Sequence, residues 1–427
     1  MIIKPAISVI SSDRVEHRID LHLQLATRSG SDRELALEKT VTHSRIGIRH
    51  PNNGSDRKLA LEETVAYTPL INSHDHLIGN WVPRAGENRP YPNSHIWVED
   101  MKDSVSYHER NLFWINDGSF ILQEPAAYKL ALLGSYKNLF SGCGIVQDHA
   151  PVQGKEYYRG FPIKVDDNYR QCHSLTLGNW WGGEDAIKEM KLTQGRMPFI
   201  IHLGEGVDEI THGEFAKLMQ LDLLKPNTLM IHGIAFSGEE IKKIACVGAS
   251  ICWCPTSNYY LIGKTMDIES AFRHNANVCI GTDSTMSGGV NLIAEFHKIR
   301  EHFPSIKGNL LFKMVTENAV KALMLPREYA CLNPKHTRNL LLVDANDNDP
   351  FENLLTIEAT SIRYLMLDGI PIFGDADWLE LLAVSDADYS FFKVGNRDKF
   401  VLGDPIKINN YIDAVLGYHK DFPYLPF

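Results

Sequence analysis

The chain has 427 residues and 44% hydrophobic content, which is ordinary for a globular protein and exceeds what one barrel of about 250 residues needs. A formal net charge of -10 and a pI near 6.0 provide no positive field for a phosphate backbone or an anionic membrane surface, so neither nucleic acid nor a membrane is an expected partner. No stretch approaches about 18 apolar residues, and the N-terminus is too interrupted for a signal peptide, so we expect a cytoplasmic protein.

The first 68 residues are predicted to form β-structure. Apolar residues alternate with polar ones from Arg18 to Leu25, which is typical of an antiparallel strand with one buried face. The sequence Gly30-Ser-Asp-Arg returns as Gly54-Ser-Asp-Arg, and both copies continue through Leu-Ala-Leu to Thr-Val. Because Gly-Ser-Asp favours turns and β-branched residues favour strands, this near-repeat predicts two turn-plus-strand units.

Four short apolar runs farther along the chain each lead to a residue that can bind a metal. They lead, in order, to His74-Asp75-His76, His202, His232 and Asp283. Such runs are typical of strands buried on both faces, and helical segments are predicted between them at Gly213 to Leu224, Gly238 to Val247 and Asn291 to His302. Strands that alternate with helices, with polar groups at the strand ends, predict an α/β protein with a (β/α)8 TIM-like barrel.

His74 and His76 alternate along a strand and therefore project from the same face, as two ligands of one metal must. One His-x-His motif is expected by chance in a chain with 18 His, and the pair would otherwise be an ordinary polar face. The other three landmarks make unrelated core histidines the less favoured interpretation.

The chain resembles the amidohydrolase superfamily, in its cytosine deaminase and triazine hydrolase branch, over about residues 55 to 375. The resemblance rests on Pro69-Leu-Ile-Asn-Ser-His-Asp-His-Leu, His202-Leu-Gly-Glu-Gly, Ile231-His-Gly, Cys254-Pro-Thr-Ser-Asn and Gly281-Thr-Asp-Ser. It implies one divalent metal ion per chain, with the ligands His74, His76, His202 and Asp283. Three imidazoles and a carboxylate suit zinc, which we expect in the first place, and also iron. It also implies that Glu205 is a proton shuttle and that His232 lies beside the bound water or the substrate.

The residue types suit this chemistry in their own right. Neutral imidazoles and one carboxylate leave a divalent ion net positive, so a bound water falls to a pKa of about 7 and becomes the nucleophile. The departing amine must then gain a proton, which Glu205 can carry. His232 would polarise the substrate, and Asp283 could accept the first proton while it remains a ligand. The alternatives are a solvated carboxylate for Glu205 and a satisfied core histidine for His232.

The barrel is expected to be irregular around strands three and four. Between strand two, Gly142 to His149, and strand five near Phe199 only about 50 residues remain, whereas one βαβ unit takes about 30 or more. Phe161 to Asn168 and His173 to Gly178 are the candidate strands. The same stretch holds the local candidates for a ligand of a second metal, which are Lys164, Cys172 and His173. A surface position is favoured for Lys164, and His149 is assigned either to the pocket rim or to a structural role.

Four segments are predicted from these patterns. They are residues 1–68 and 336–375, which together form a small β-sandwich as the resemblance implies, a metal-dependent hydrolase barrel at 69–335, and an extension at 376–427. The extension contains ten Phe, Tyr or Trp residues, so we expect it to pack on the barrel, cover the pocket or join a dimer interface. A homodimer is the expected assembly.

The substrate contacts are expected to include Trp81, His95 and Trp97 after strand one, together with Asn258. Aromatic residues at the barrel mouth would stack on a flat ring, or they would only close the mouth, and Asn258 is alternatively a turn residue. We therefore expect a metal-dependent hydrolase of a non-peptide C-N bond, an aminohydrolase that acts on a small amino-substituted N-heterocycle or guanidine. The alternatives are hydrolysis of a cyclic amide or ureide, its reversal as a ring closure, and a catalytically silent scaffold.

Overall fold

The computed structural model describes residues 1–26, 61–116, 119–176, 181–183, 185–382, 384 and 388–427. The first copy of the near-repeat, and the second copy up to residue 60, lie outside the described residues. Within the part of the chain that is described, no helix has the length and apolar character that a membrane span requires.

The strands and helices follow one another along the whole described chain. The strands are β1 Ile2–Ile3, β2 Ile7–Ser11, β3 Arg14–His17, β4 Leu21–His22, β5 Thr64–Tyr67, β6 Leu70–Asp75, β7 Ile115–Asn116, β8 Ser119–Phe120, β9 Cys143–Asp148, β10 Lys164–Asp166, β11 Arg170–Cys172, β12 Phe199–Leu203, β13 Thr228–His232, β14 Ser250–Trp253, β15 Asn277–Ile280, β16 Leu340–Asp344, β17 Ile362–Leu367, β18 Ile370–Asp375, β19 Tyr389–Val394 and β20 Arg397–Leu402. The helices are α1 Ser94–Asp100, α2 Val105–Trp114, α3 Pro125–Leu139, α4 Lys155–Tyr158, α5 Ala186–Thr193, α6 Glu209–Gln220, α7 Gly238–Val247, α8 Pro255–Ile262, α9 Ile268–Arg273, α10 Leu292–His302, α11 Gly308–Met314, α12 Glu317–Ala322, α13 Asp377–Leu381 and α14 Pro405–Leu416.

The central strands form two parallel ladders that follow chain order. One ladder is β6-β9-β10 and the other is β11-β12-β13-β14-β15. The backbone amides of Thr282 and Asp283 donate to the carbonyl of His74 at 3.0 and 3.1 Å, so the chain just after β15 is hydrogen-bonded to β6. The described residues contain no ladder between β10 and β11. The fold is therefore mixed α/β with eight parallel strands in these two ladders, and a closed (β/α)8 barrel stays a prediction.

The predicted fourth strand was misplaced. We expected it at His173 to Gly178, but β11 ends before His173 and begins at Arg170. The sequence of β11 is Arg170-Gln171-Cys172, which lacks the apolar run that marks the other central strands. Gln171 is nevertheless buried. Its side-chain amide nitrogen donates to the carbonyls of Ala150 and Trp181 at 2.9 and 3.3 Å, in place of water.

Helix boundaries follow their capping residues. The helix expected from Gly213 starts earlier, since the Asp208 side chain accepts a hydrogen bond from the Thr211 amide and caps α6. Helix α7 has the expected bounds, with a capping box formed by Ser237 and Glu240 at its start. Each of these two helices connects consecutive parallel strands of the second ladder, so the carboxyl ends of those strands lie at the same edge of the sheet.

Strands from both ends of the chain pair in one further sheet. Its order is β19-β20-β18-β17-β16-β5-β2-β3, and β5 from the N-terminal part pairs antiparallel with β16 from the C-terminal part. Strands β19 and β20 lie beyond residue 375 and extend this sheet, so part of the aromatic extension is sheet rather than an appendage. A β-sandwich and the four segment boundaries stay predictions.

A buried lysine links three strands of this sheet. The Lys399 ammonium on β20 donates to the carbonyls of Thr360 and Ile362 at 3.0 and 2.6 Å, and it pairs with the Asp375 carboxylate on β18 at 2.7 Å. Its side chain is completely buried. The charge therefore has polar partners, as a buried charge requires.

Candidate active site

The four predicted metal ligands come together at the ends of the central strands. His74 lies on β6, His76 directly follows it, and His202 lies on β12. One ring nitrogen from each of these three histidines lies within 4.8 Å of the others. The Asp283 Oδ1 atom, just after β15, lies 3.3 Å from Nε2 of His76 and 3.9 Å from Nε2 of His74.

Asp283 is held so that one carboxylate oxygen faces the histidines. Its Oδ2 atom accepts hydrogen bonds from the hydroxyls of Ser257 and Ser287 at 2.8 and 2.9 Å, while the Ser284 amide donates to Oδ1 at 2.8 Å. Burial acts to raise the pKa of Asp283, but electrostatic interactions with the imidazoles of His76, His74 and His232 outweigh it and hold the pKa below its usual value. The side chain is therefore a carboxylate, the form in which it can bind a cation.

The histidine rings are neutral. Burial lowers the pKa of His74 and of His202 well below the ordinary value, and it lowers the pKa of His76 as well. A neutral imidazole has a free lone pair, which is the form that binds a metal. Both ring nitrogens of His74 are buried and have no hydrogen-bond partner among the described residues, which is costly unless a ligand satisfies them. Three imidazoles and one carboxylate thus fit a divalent metal ion.

Two of these strand ends have backbone angles that are uncommon for residues other than glycine. His232 has φ 75° and Asp283 has φ 55°. Such left-handed conformations persist where the surrounding contacts hold them, and they concentrate at functional sites. At Asp283 the holding contacts are a hydrogen bond from its amide to the His74 carbonyl and one from the Lys137 ammonium to the Asp283 carbonyl, both at 3.1 Å.

Glu205 and His232 form a buried pair at the same end of the strands. Glu205 Oε1 lies 3.3 Å from His232 Nε2. Burial raises the pKa of Glu205, although the electrostatic interaction with His232 opposes this shift. A raised pKa lets the carboxyl group hold a proton more readily, so that it can both take and return one, as a general acid and base must.

The orientation of His232 is set by Asn258. The Asn258 side-chain oxygen lies 2.8 Å from His232 Nδ1, and its amide nitrogen donates to the Thr265 hydroxyl at 3.1 Å. Because the oxygen accepts, His232 carries a proton on Nδ1, and its Nε2 lies on the side of Glu205. Both polar atoms of Asn258 are thus used within the protein, and its predicted substrate contact stays a prediction.

The remaining predicted substrate contacts lie in the segment after β6. Trp81 is buried with its ring edge-on to Phe113 at 4.7 Å, and Trp97 donates its indole N-H to the Ala85 carbonyl at 2.8 Å. The His95 side chain is 41% exposed and lies 4.0 Å from Glu99. Trp97 therefore offers a substrate no free donor, and contacts from Trp81 and His95 stay predictions.

Lys137 was not predicted from the sequence. Its ammonium is hydrogen-bonded to both strand ends that carry predicted ligands. Its completely buried ammonium lies 3.2 Å from the Asp75 carboxylate, 2.8 Å from the Asn80 side-chain oxygen, 3.1 Å from the Thr282 hydroxyl and 3.1 Å from the Asp283 carbonyl. Asp75 stands between His74 and His76, so Lys137 joins the two ends that carry three of the four predicted ligands. The detectable signal was the polar pair Lys137-Asn138 near the end of the largely apolar helix α3.

Two more histidines lie against this cluster. The ring centroids of His149 and His173 are 4.5 and 4.8 Å from that of His202. By contrast, Lys164 lies elsewhere, because its half-exposed ammonium donates to the Tyr329 hydroxyl at 2.8 Å and lies 3.7 Å from the Asp368 carboxylate. Of the local candidates for a second-metal ligand, His173 is the one that lies beside the predicted ligands.

Histidines and a carboxylate converge at the ends of the parallel strands. Comparison with known proteins points to a class of protein that agrees with this arrangement. Residues 199–373 match the model of the Amidohydrolase family. A crystal structure of atrazine chlorohydrolase from Arthrobacter aurescens TC1, complexed with zinc, superimposes with a TM-score of 0.63 over 87% of this chain and 94% of that chain, at 16% identity. Residues 199–373 are thus similar to an amidohydrolase family domain, and the likeness to the solved structure indicates a TIM-barrel-like α/β fold.

Two curated relatives carry the names of deaminases. The 5-methylthioadenosine/S-adenosylhomocysteine deaminase of Pyrococcus abyssi is 35% identical over 140 residues, which are 29% of this chain and 33% of that protein. The 5'-deoxyadenosine deaminase of Methanosphaera stadtmanae is 28% identical over 297 residues, which are 60% of this chain and 68% of that protein. The chain therefore spans a third of the first relative's length and two thirds of the second's.

Proposed function

We propose that this protein is a metal-dependent aminohydrolase that removes an amino group from a small N-heterocycle and releases ammonia. The observation that carries the proposal is the buried Glu205-His232 pair, at 3.3 Å, beside the convergent nitrogens of His74, His76 and His202 and the Asp283 carboxylate. A metal-ligand set alone would serve many reactions. An added carboxylic acid with a raised pKa is what the expulsion of an amine needs.

His74, His76, His202 and Asp283 would hold one divalent metal ion, with zinc as the first choice. When bound, such an ion supplies Lewis acidity and lowers the pKa of a coordinated water toward about 7. The charge balance supports this assignment, since three neutral rings and one carboxylate leave a divalent cation net positive.

The side chains then divide the proton transfers between them. Glu205 takes a proton released by the attacking water and delivers it to the amino nitrogen of the substrate. The carbon-nitrogen bond breaks and the amine leaves as ammonia. The second proton of the water passes to the ring nitrogen next to the reacting carbon, so that a carbonyl group replaces the amine. His232, oriented by Asn258, contacts the substrate or the attacking water through Nε2, while Asp283 offers a carboxylate oxygen for the first proton transfer.

The names of the two relatives support an adenine-containing nucleoside as the first substrate class to test. We propose 5'-deoxyadenosine, 5'-methylthioadenosine and S-adenosylhomocysteine as the first panel, followed by free aminopurines, aminopyrimidines, aminotriazines and guanidines. The experiment loads purified protein with zinc and measures free ammonia. The matched control is Glu205→Gln, which keeps the size of the side chain but cannot carry the proton.

The outcome separates the candidate activities. Ammonia release that disappears in Glu205→Gln supports the aminohydrolase. Hydrolysis of a cyclic amide or ureide without ammonia would replace it with the alternative hydrolase. Zinc binding without turnover on any member of the panel would favour the silent scaffold. The homodimer and the cytoplasmic location stay predictions, and light scattering on the purified chain tests the first of them.

A further inference from the structure

Helix α8 carries two of the side chains that hold the candidate active site. The Ser257 hydroxyl donates to Oδ2 of Asp283 at 2.8 Å, and the Asn258 side-chain oxygen lies 2.8 Å from Nδ1 of His232. Ser257 and Asn258 both lie in the first turn of the helix. A shift of this turn would therefore move one contact that holds the Asp283 carboxylate and one that holds the His232 ring.

The first turn of α8 is held by an acid from another helix. In the described part of the chain, the side chain of Cys254, which precedes the helix, makes no capping hydrogen bond, and Pro255 has no amide hydrogen to donate. The next amide, that of Thr256, donates to Oε2 of Glu295 at 2.9 Å. Glu295 is completely buried on α10, 39 residues farther along the chain. Its carboxyl group therefore supplies the acceptor that the start of a helix needs, and the helix dipole favours a negative charge there.

A glycine leaves the space that the Glu295 carboxyl group fills. Gly289 lies in the loop between β15 and α10, where its amide donates to the Thr282 carbonyl at 3.1 Å. A methyl group on Gly289 would lie 2.1 Å from Oε1 of Glu295, and the three atoms nearest to that methyl group would all belong to Glu295. An alanine at this position would thus push aside the end of one flexible side chain. The geometry therefore offers a way to disturb the contact with Thr256 without removing Glu295.

We propose that Glu295 is a positioning residue of the candidate active site. From α10 it holds the first turn of α8. Through Ser257 this turn holds Asp283, a predicted metal ligand, and through Asn258 it holds the ring of His232. The expected effect on turnover rests on the proposed aminohydrolase function, whereas the expected effects on zinc affinity and on the ring proton of His232 do not.

The first test removes the acceptor. In Glu295→Met the zinc affinity, measured by chelator competition, should fall by about 10- to 100-fold, the usual effect of losing a residue that positions metal ligands. The kcat for ammonia release should also fall while KM changes little, because Glu295 acts on groups that carry out the reaction rather than on substrate binding. Glu295→Gln keeps an oxygen that can accept from the Thr256 amide, so it should recover most of both losses.

Gly289→Ala tests the same contact from the other side. It displaces the carboxyl group and keeps Glu295 in the chain, so it serves as the test if Glu295→Met does not fold. Zinc affinity and kcat should both fall. Added to Glu295→Met, the alanine should cause no further loss, because two changes that act through one contact are not additive.

Asp185→Ala is the matched control. The Asp185 carboxylate accepts from the amides of Ile187 and Lys188 at 3.0 and 3.1 Å at the start of α5, and that helix carries none of the predicted site residues. The variant loses a helix cap and should keep the zinc affinity and the kcat of the wild type. Circular dichroism and urea unfolding check that each variant is folded.

Nuclear magnetic resonance of zinc-free protein with isotope-labelled histidine needs neither metal nor substrate. The proton that His232 donates from Nδ1 to Asn258 should give a signal that exchanges slowly with water, assigned by its absence in His232→Gln. This signal should persist in Glu295→Gln and in Asp185→Ala. It should be lost in Glu295→Met and in Gly289→Ala.

Wild-type zinc affinity and an intact His232 signal in folded Glu295→Met would overturn the proposal. Losses of equal size in Asp185→Ala would also overturn it, since they would then follow from lost stability alone. If no substrate of the panel releases ammonia, the proposed aminohydrolase fails, while zinc affinity and the ring-proton signal still decide the role of Glu295.

Discussion

Replacement of Lys137 by methionine should destabilise the protein by about 3–5 kcal/mol, because it leaves the Asp75 carboxylate buried without its cationic partner. The lower end of this range is expected, because Asp75 keeps hydrogen bonds from Asn80, Asn138 and Asn72 at 2.9, 2.8 and 3.2 Å. Urea unfolding followed by tryptophan fluorescence measures the change. The double variant Asp75→Asn with Lys137→Met should recover part of the loss, because it removes the unpaired charge.

The same substitution should also weaken zinc binding by about 10- to 100-fold, which is the usual effect of losing a residue that positions metal ligands. Lys399→Met is the matched control. Lys399 is also completely buried and paired with a carboxylate, but it lies in the sheet built from both chain ends. It should cost stability and leave zinc affinity unchanged. A loss below about 1 kcal/mol in Lys137→Met, or equal zinc affinities in the two variants, would refute the reasoning.

Two further predictions concern the metal ligands and a buried acid. His76→Ala and Asp283→Ala should each lower zinc affinity more than about 10-fold in a chelator competition at one equivalent of zinc, since each removes a direct ligand; wild-type affinity in either variant would exclude that residue from the site. Burial raises the pKa of Glu295 to about 7, so its folded-state pKa exceeds the ordinary 4.5 and stability is lost as the pH rises from about 4.5 to 7. Glu295→Gln, whose amide oxygen can still accept from the Thr256 amide, should remove about 2–4 kcal/mol of this pH dependence, and an unchanged dependence in urea unfolding would contradict the shift.

The predicted metal ligands could be found from sequence because each follows a short apolar run. The end of a buried strand can be located in the sequence, because its apolar run stops there. Residues at the ends of parallel strands meet at one edge of the sheet. Thus His74, His202 and Asp283 are brought together although they lie far apart in the chain. The bounds of helix α7 could also be predicted from the sequence, because Ser237 and Glu240 form a capping box at its start.

The residues that sequence reasoning missed depend on tertiary contacts. Lys137 is 62 residues from Asp75 and 146 from Asp283, and no local pattern shows that its ammonium reaches both. Strand β11 was misplaced because the side-chain nitrogen of its buried Gln171 donates to carbonyl groups of other segments, so a polar residue there is not an exposed one. The contact of Asn258 with His232 joins residues that are 26 positions apart, so it too has no local signal, and the substrate contact predicted for Asn258 stays a prediction.

The aminohydrolase proposal is tested most directly by measuring ammonia release and zinc content together in Glu205→Gln. Glu205 is paired with His232 and is not one of the predicted ligands, so the variant should hold as much zinc as the wild type. Its turnover should fall by about 100- to 10,000-fold, the usual effect of losing a general acid and base. Wild-type ammonia release with full zinc would contradict the proton-shuttle role, and loss of zinc would make Glu205 a ligand instead.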